Sequence, residues 1–412
     1  MVKRAGAIGG HYGVTGHKMD RNLALFASVL EQYHCGATFP ITAVTLSRNM
    51  RTIQKYQGRN IEFAVHGYFH SDHTRLSREV LIKQLDLSRR LFERHRVNSS
   101  GFRSPYLRWN ENTISAVLNT GFLYDGSQAI AWDVVNGFES DPYRRALDFY
   151  GALPASSVPA LPSIDNGLVR IPYCLPDDEA LVDRFQLKSS SSMNRPWLEI
   201  LEETHRSGEL FTLGLHPERI HQCQAALMET LDRARQLTPG IWIARLDEVA
   251  RWWKSRTETK VSIHPLGKNE WLIHVSGPEG LTVLARDVEV ISPLVEWDGR
   301  YRRAIGTEVR LRSSRRPFIG VSPSSHPELK SFLRQQGYII EEAEVEGTQT
   351  LYLDQREFRK KDERRLMTMI EESDFPLVRL GRWPDGARSA LSITGDIDAM
   401  TFWDYSFRFI GR

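Results

Sequence analysis

The densest gathering of metal-capable side chains is Val65-His66-Gly67-Tyr68-Phe69-His70-Ser71-Asp72-His73. His66 and His70 are four positions apart, a spacing that on one helical turn brings both imidazoles to the same side, within reach of one ion. His73 continues that face and stays open as a third ligand. Against this stands the ordinary role of a histidine as a satisfied core or surface residue. Two other segments carry chemistry. Gly101-Phe102-Arg103-Ser104-Pro105-Tyr106 sets an arginine beside a rigid proline, where it can pair with an acidic catalytic group while the Tyr106 N–H faces a developing oxyanion. A common turn has the same composition. Leu213-Gly214-Leu215-His216-Pro217-Glu218 delivers His216 from an apolar run, either as a general acid or as the cap of a following helix.

Each segment must be held by something, and an alternation of short apolar runs with helical periodicity supplies the holders from about residue 20 to 250. Asp20 caps a helix reaching His34 and stopped by Gly36, and Ala37–Ala43 is a strand. Strands are further expected at Ile61–Val65, Gly101–Phe102, Leu168–Ile171, Leu210–Leu215 and Ile241–Ala244, with helices at 76–95, 111–120, 195–206 and 219–236. The alternation predicts an α/β domain with an inner parallel sheet, open or closed as a barrel, whose chemistry gathers at the C-terminal strand ends. Residues 137–166, rich in Pro, Ser, Gly and Asp, read as a long loop.

Beyond Trp252-Trp253 the texture changes to short alternating runs separated by Gly and Pro. Three units are expected: 1–255 as the (β/α) domain, 256–315 as a small β-rich module, and 316–412 as an α/β segment. The last ends in Ala390-Leu-Ser-Ile-Thr-Gly-Asp396-Ile-Asp398, a strand running into two carboxylates.

The chain has 412 residues, 41% hydrophobic and 25% charged, with a formal net charge of +3. Cations are interspersed with anions, so nucleic acid is a poor partner, and Arg310, Arg312, Arg315 and Arg316 read as a solvated strand edge. No apolar run approaches the ~20 residues of a membrane span. The start lacks a signal-peptide pattern, which predicts a cytoplasmic protein. Cys35, Cys174 and Cys223 are odd in number and far apart, so they are expected as buried fillers. A homo-oligomer stays open.

Taken in order, these segments resemble the polysaccharide deacetylase domain (carbohydrate esterase family four, the NodB-homology domain) over roughly residues 20–250. His66-Gly-Tyr-Phe-His70 with its trailing Ser71–Ser77 resembles the family's H-x-x-x-H metal motif. Ala37-Thr38-Phe39 resembles its second core strand, Phe102–Tyr106 its arginine motif, and Leu215-His216 its catalytic-histidine motif. Trp132 and Asp133, after Tyr124-Asp125, lie where the family has a Trp and an Asp that orient the catalytic histidine, and Trp132 is grouped with Tyr106 as facing substrate or oxyanion. The resemblance implies a NodB-like irregular (β/α) barrel, often of seven strands, and metal-dependent hydrolysis of acetyl groups on an amino sugar or polysaccharide.

One part of the pattern is missing. The family's first motif, a strand ending in two acids about 20 residues before Ala-Thr-Phe, is replaced by Val14-Thr15-Gly16-His17-Lys18-Met19-Asp20. Ile393-Thr394-Gly395-Asp396-Ile397-Asp398 resembles the D-x-D form of that motif, with His17 standing where Asp396 stands and Met19 where Asp398 stands. The C-terminal strand is therefore expected to supply the acids, by permutation or by a duplicated copy whose N-terminal version has degenerated. Alternation puts Asp396 and Asp398 on one side of an extended strand; two acids ending a strand and capping a helix from Met400 to Phe409 remain the plain alternative.

On the resemblance, a divalent cation, zinc first and cobalt, manganese or nickel as alternatives, is held by His66, His70 and Asp398 and lowers the pKa of a water from about 16 towards roughly 7. Asp396 is the base, held ionised and oriented by Arg103; His216 protonates the leaving nitrogen; the metal and the Tyr106 N–H serve the oxyanion. Two other readings compete: an inactive glycan-binding pseudoenzyme of the same fold, and a cyclic-amide hydrolase of the allantoinase-like branch.

Overall fold

The structure is a computed structural model describing residues 13–135, 141–187 and 189–406. Its main sheet is built from β1 (Ala37–Ile41), β2 (Ile61–Val65), β3 (Gly101–Phe102), β4 (Tyr124–Ala131), β5 (Leu153–Pro154), β6 (Ser163–Asp165), β7 (Leu168–Leu175), β8 (Leu210–Gly214) and β9 (Ile241–Ile243). β1, β2 and β8 are buried at every position, as strands covered on both faces must be.

The next strands lie outside that sheet: β10 (Lys260–Gly267), β11 (Glu270–Ser276), β12 (Val283–Arg286), β13 (Glu289–Val290), β14 (Leu294–Glu296), β15 (Arg302–Ala304), β16 (Glu308–Arg312), β17 (Arg316–Val321), β18 (Ile340–Glu342), β19 (Gln349–Leu353) and β20 (Leu377–Leu380). They form the sheets β10-β11-β16-β13, β14-β15-β12-β20 and β18-β17-β19. β12 pairs antiparallel with β20, so the strands of 256–315 and those of 316–412 share a sheet. Arg310 and Arg312 are exposed on β16 and pair with Glu270.

The last strand, β21 (Ser389–Thr394), returns to the main sheet. It lies parallel between β1 (Ala37 opposite Ile393) and β8 (Ala390 opposite Leu210), giving the order β6-β7-β4-β3-β2-β1-β21-β8. All of these run parallel except β6. The sheet curls so that β7 and β8 face each other without a regular ladder. Instead, the Thr212 hydroxyl donates to Pro172 O (2.8 Å) and accepts from Cys174 N (2.8 Å). This is an irregular (β/α) barrel of the NodB-like kind with added β-rich sheets.

The position of β21 bears on the two origins expected for the acids. Val14–Gly16 forms no strand, and the first described helix starts at His17. Among the described residues no N-terminal copy joins the sheet, and the strand beside β1, across from β2, is β21, from the far end of the sequence. The backbone agrees: Phe402 N donates to Gly13 O at 2.8 Å, so the residues after β21 lie against those before the helix.

Other details differ from expectation. Asp20 sits inside the first helical turn and accepts from Lys55 and Tyr56 rather than capping. β1 ends at Ile41, and Ala43–Arg48 is a helix capped by Thr42. The stretch expected as a loop holds the helix Asp141–Tyr150 and two short strands, with 136–140 outside the described residues. β4 was not expected at all, because Asp125, Ser127 and Gln128 give it a polar sequence; those side chains are buried, and Asp125 pairs with Arg170 at 2.8 Å. Of the helix expected from Met400 to Phe409, Phe402–Ser406 is seen, and 407–409 lie outside the described residues. The three cysteines are buried and unbridged. No helix among the described residues is long and apolar enough to cross a membrane.

Candidate active site

Five strand ends converge. His66 follows β2 directly, and its Nδ1 faces Arg103 O at 2.9 Å. A carbonyl can only accept, so Nδ1 carries the proton and the Nε2 lone pair is left for a ligand role. Nε2 is buried and makes no hydrogen bond. It points at the end of β21, 3.4 Å from Asp398 Oδ1 and 3.5 Å from Asp396 Oδ2. His70 Nε2 lies 3.1 Å from the same Asp398 oxygen.

His66 and His70 meet without a helical turn. Residues 66–72 are irregular, and Gly67 takes φ 81°, where a Cβ would also come within 2.9 Å of His73 Nε2. Glycine is what lets this loop fold back. Its far side is tied by Asp72, which accepts from the Thr74 hydroxyl (2.6 Å) and pairs with Arg108 (3.1 Å). His73 does not join the other two. It stacks on Phe102 at 5.8 Å and is fully buried, and burial, followed by the nearby His66 and His70, pushes its pKa down to about 3.

The donor set of His66, His70 and Asp398 fits a divalent cation. With bonds of roughly 2.0–2.2 Å, tetrahedral donors stand about 3.3–3.6 Å apart, and the two distances to Asp398 Oδ1 are 3.4 and 3.1 Å. The carbonyl behind His66 is the second-layer partner that fixes a ligating tautomer.

Asp396 faces the same space. Arg103, 1% exposed, reaches it with Nη1 to Oδ1 at 2.8 Å. The guanidinium is itself fixed, with Nε donating to Gly126 O at 3.0 Å and its plane 4.7 Å from the Tyr173 ring. Gly395 makes the approach of β21 to β8 feasible, since a Cβ there would sit 1.8 Å from Leu215 O. Tyr106 and Leu107 both adopt left-handed conformations, φ 60° and 56°. Such a conformation costs about 1–2 kcal/mol per non-glycine residue, and the turn lays the Tyr106 ring edge-on against His70 at 4.3 Å.

His216 follows β8 and is oriented by a residue the sequence reading passed over. Asp178 Oδ1 accepts from His216 Nδ1 at 2.6 Å, and its Oδ2 accepts from the His216 backbone N–H at 2.9 Å. Burial alone would lower the His216 pKa, but the Asp178 carboxylate more than offsets it and holds the imidazole well above its ordinary value. Asp178 shifts the opposite way: burial would raise it, and His216 and Arg219 bring it below the usual carboxylate range. Asp177 beside it rises to about 6, through burial and then the Asp178 charge. Asp177, Asp178 and His216 also have metal-ligand proximity. The direct hydrogen bond already occupies the ring nitrogen, which favours a proton-holding pair. The available signal was positional: Asp177-Asp178 follows β7 at the same rim as the other motifs.

Trp132 does not face this site. The end of β4 carries it to a different cavity, where the Arg364 guanidinium lies 6.0 Å from its ring. Asp133 lines the same cavity, so neither residue orients His216.

Residues 18–124 match the polysaccharide deacetylase family model. The matched span holds His66, His70, Arg103 and Tyr106; His216, Asp396 and Asp398 lie beyond it. The polysaccharide deacetylase resemblance is thus found where the motifs are contiguous, ahead of the returning strand. No curated protein matches the chain. Similar solved structures include one described as a polysaccharide deacetylase from Mycobacterium smegmatis, at 20% identity, covering 56% of this chain and 76% of that one with a TM-score of 0.44. Another, from Pseudomonas aeruginosa PAO1 and described the same way, has 18% identity, 56% and 72% coverage and a TM-score of 0.45. Puue allantoinase has 17% identity, 56% and 72% coverage and a TM-score of 0.45. The barrel described above rests on strand order and not on these likenesses.

Proposed function

We propose that the chain is a divalent-metal-dependent hydrolase that removes acetyl groups from an amino sugar or polysaccharide, cleaving a non-peptide C–N bond. The observation that carries this reading is the meeting of Asp396 and Asp398 with His66 and His70. It joins a donor set suited to one cation with a carboxylate free of that set and braced by Arg103.

His66, His70 and Asp398 would hold the cation, zinc or another divalent ion, which when bound supplies Lewis acidity for activating water and polarising the acetyl carbonyl. Asp396 takes the proton from the attacking water, and the Arg103 contact fixes the direction in which its carboxylate points. The Tyr106 N–H, presented by its left-handed turn, donates to the developing oxyanion. His216, kept protonated by Asp178, gives a proton to the departing sugar nitrogen. We also propose that the division into 1–255, 256–315 and 316–412 is one of sequence order, with the last unit returning its final strand to the first.

Acetate release from N-acetylglucosamine oligomers, measured after chelation and again after reloading with zinc, tests the reading. Release that disappears and returns with the metal supports it. A metal-loaded protein that binds the oligomers without releasing acetate would instead be a glycan-binding pseudoenzyme, and one that opens only allantoin would belong with cyclic-amide hydrolases.

A further inference from the structure

A second concentration of charge lies away from these residues. Between the barrel and the sheet β14-β15-β12-β20 is a cavity of about 1250 Å³, lined among others by Arg379, Arg382, Glu371, Trp297 and Tyr301. Gly208 and Arg388, which also line it, lie two residues before β8 and one before β21. His216 and Asp396 follow the far ends of these strands, so eight residues of extended chain, about 26 Å at ~3.3 Å per residue, lead from the cavity to each.

At the end of the cavity where Arg379 and Arg382 lie, cations outnumber the carboxylate that faces them. Arg379 and Arg382 are 5% and 4% exposed, and Arg256 beside them is 3% exposed. The carboxylate facing them is Glu371, 3.5 Å from Arg379 Nε and 3.7 Å from Arg382 Nη2. Its two oxygens already accept from Tyr338 (2.6 Å) and Tyr301 (2.9 Å). Arg379 Nε and Arg382 Nη2 meet Glu371 only at ion-pair distance, and Arg379 Nη1 and Arg382 Nε make no hydrogen bond. Arg382 donates only through Nη1, to Ser207 O at 3.0 Å. Other cations of the lining are matched: Arg364 by Glu209, Arg388 by Asp298 and Arg206 by Glu203.

The local fields agree with this picture. Burial would raise the Glu371 pKa, yet Arg379 and Arg382 bring it down to about 2. Arg256 falls to about 9, by burial first and then by repulsion from Arg382 and Arg379. Guanidinium nitrogens buried without acceptors are costly, and anions that accept from two of them at once are their natural complement.

We propose that this cavity is a binding site for a small molecule bearing an oxyanion, carboxylate or phosphate, held by Arg379 Nη1 and Arg382 Nε, the guanidinium nitrogens outside the Glu371 ion pairs. The lining also carries Asp133, Glu199, Glu202 and Glu372, so a polyanion is disfavoured and a single charged group is the fit.

Calorimetric titration of the full chain with inorganic phosphate and with glucuronate, at constant ionic strength in chloride, tests the site. Saturable binding of either is the expected result, and which one binds identifies the group. Arg382→Gln should weaken it by about tenfold or more, whereas Asp398→Ala leaves it unchanged. Hydrogen exchange on the wild type provides a readout independent of any variant: the bound anion should protect 377–382. No saturable binding of either anion, an unchanged affinity in a folded Arg382→Gln protein, or no protection at 377–382 would overturn the proposal.

Discussion

Asp396 and His216 follow neighbouring strands, and each is braced by a charged group from another strand, but the two braces differ in kind. Asp396 is met by a guanidinium that is itself fixed by Gly126 O and the Tyr173 ring, with 293 residues of chain between the partners. His216 is met by a carboxylate only 38 residues earlier, and the two titrate against each other. In the proposed reading the base side holds a carboxylate against a fixed cation, and the acid side holds two groups that shift each other's pKa. Substitutions on the two sides should therefore fail differently.

The largest effect is expected on the base side. Asp396→Asn keeps the shape of the side chain but cannot accept a proton, so kcat for acetate release should fall by about 10³-fold or more, with metal content unchanged. Loss of metal along with activity would show that Asp396 is a ligand and not the base. Arg103→Met should lower kcat by roughly 100-fold through misdirection of that carboxylate, with metal content unchanged, which distinguishes misdirection from loss of a ligand.

On the acid side the signature is pH. Because Asp178 raises the His216 pKa, Asp178→Asn should move the alkaline limb of the rate profile to lower pH and cost roughly tenfold near neutrality. Stability follows the same sign. A raised histidine pKa stabilises the fold below its unfolded value of about 6.5, and that contribution is lost as pH rises through the folded value. The stability gap between wild type and Asp178→Asn, measured by denaturant unfolding, should accordingly narrow on going alkaline. An unshifted limb would break the contrast between the two sides. The smallest effect belongs to Trp132→Phe, which should change kcat by less than about twofold, since the ring sits in the other cavity and not beside His216.

How legible each side was in the sequence follows the same division. His66, His70, Arg103, Tyr106 and His216 are each announced by a short motif at the end of an apolar run, and local motifs survive reading one at a time. The place of β21 in the sheet is a fact of topology: the D-x-D run names the residue types, but only the pairing with β1 and β8 brings them to the histidines. Asp178 was missed for a simpler reason, since two acids after a proline look like a solvated turn until burial is known. β4 was missed because a barrel interior can hold a polar strand when Arg103 and Arg170 are there to pair with it. Trp132 was misplaced with it, the register of β4 shifting between Asp125 and Gln128 before its end. The spacing of His66 and His70 pointed to two rings that do lie together, 5.2 Å apart, but through the wrong geometry, a glycine-turned loop in place of a helix.

The central claim is that the last strand of the chain completes a site begun by the second. Metal content per chain after dialysis, measured for the wild type and for Asp398→Ala, tests it most directly. The account predicts one tightly held divalent ion in the wild type and its loss in the variant; a wild type that holds none, or a variant that holds it equally well, would contradict it.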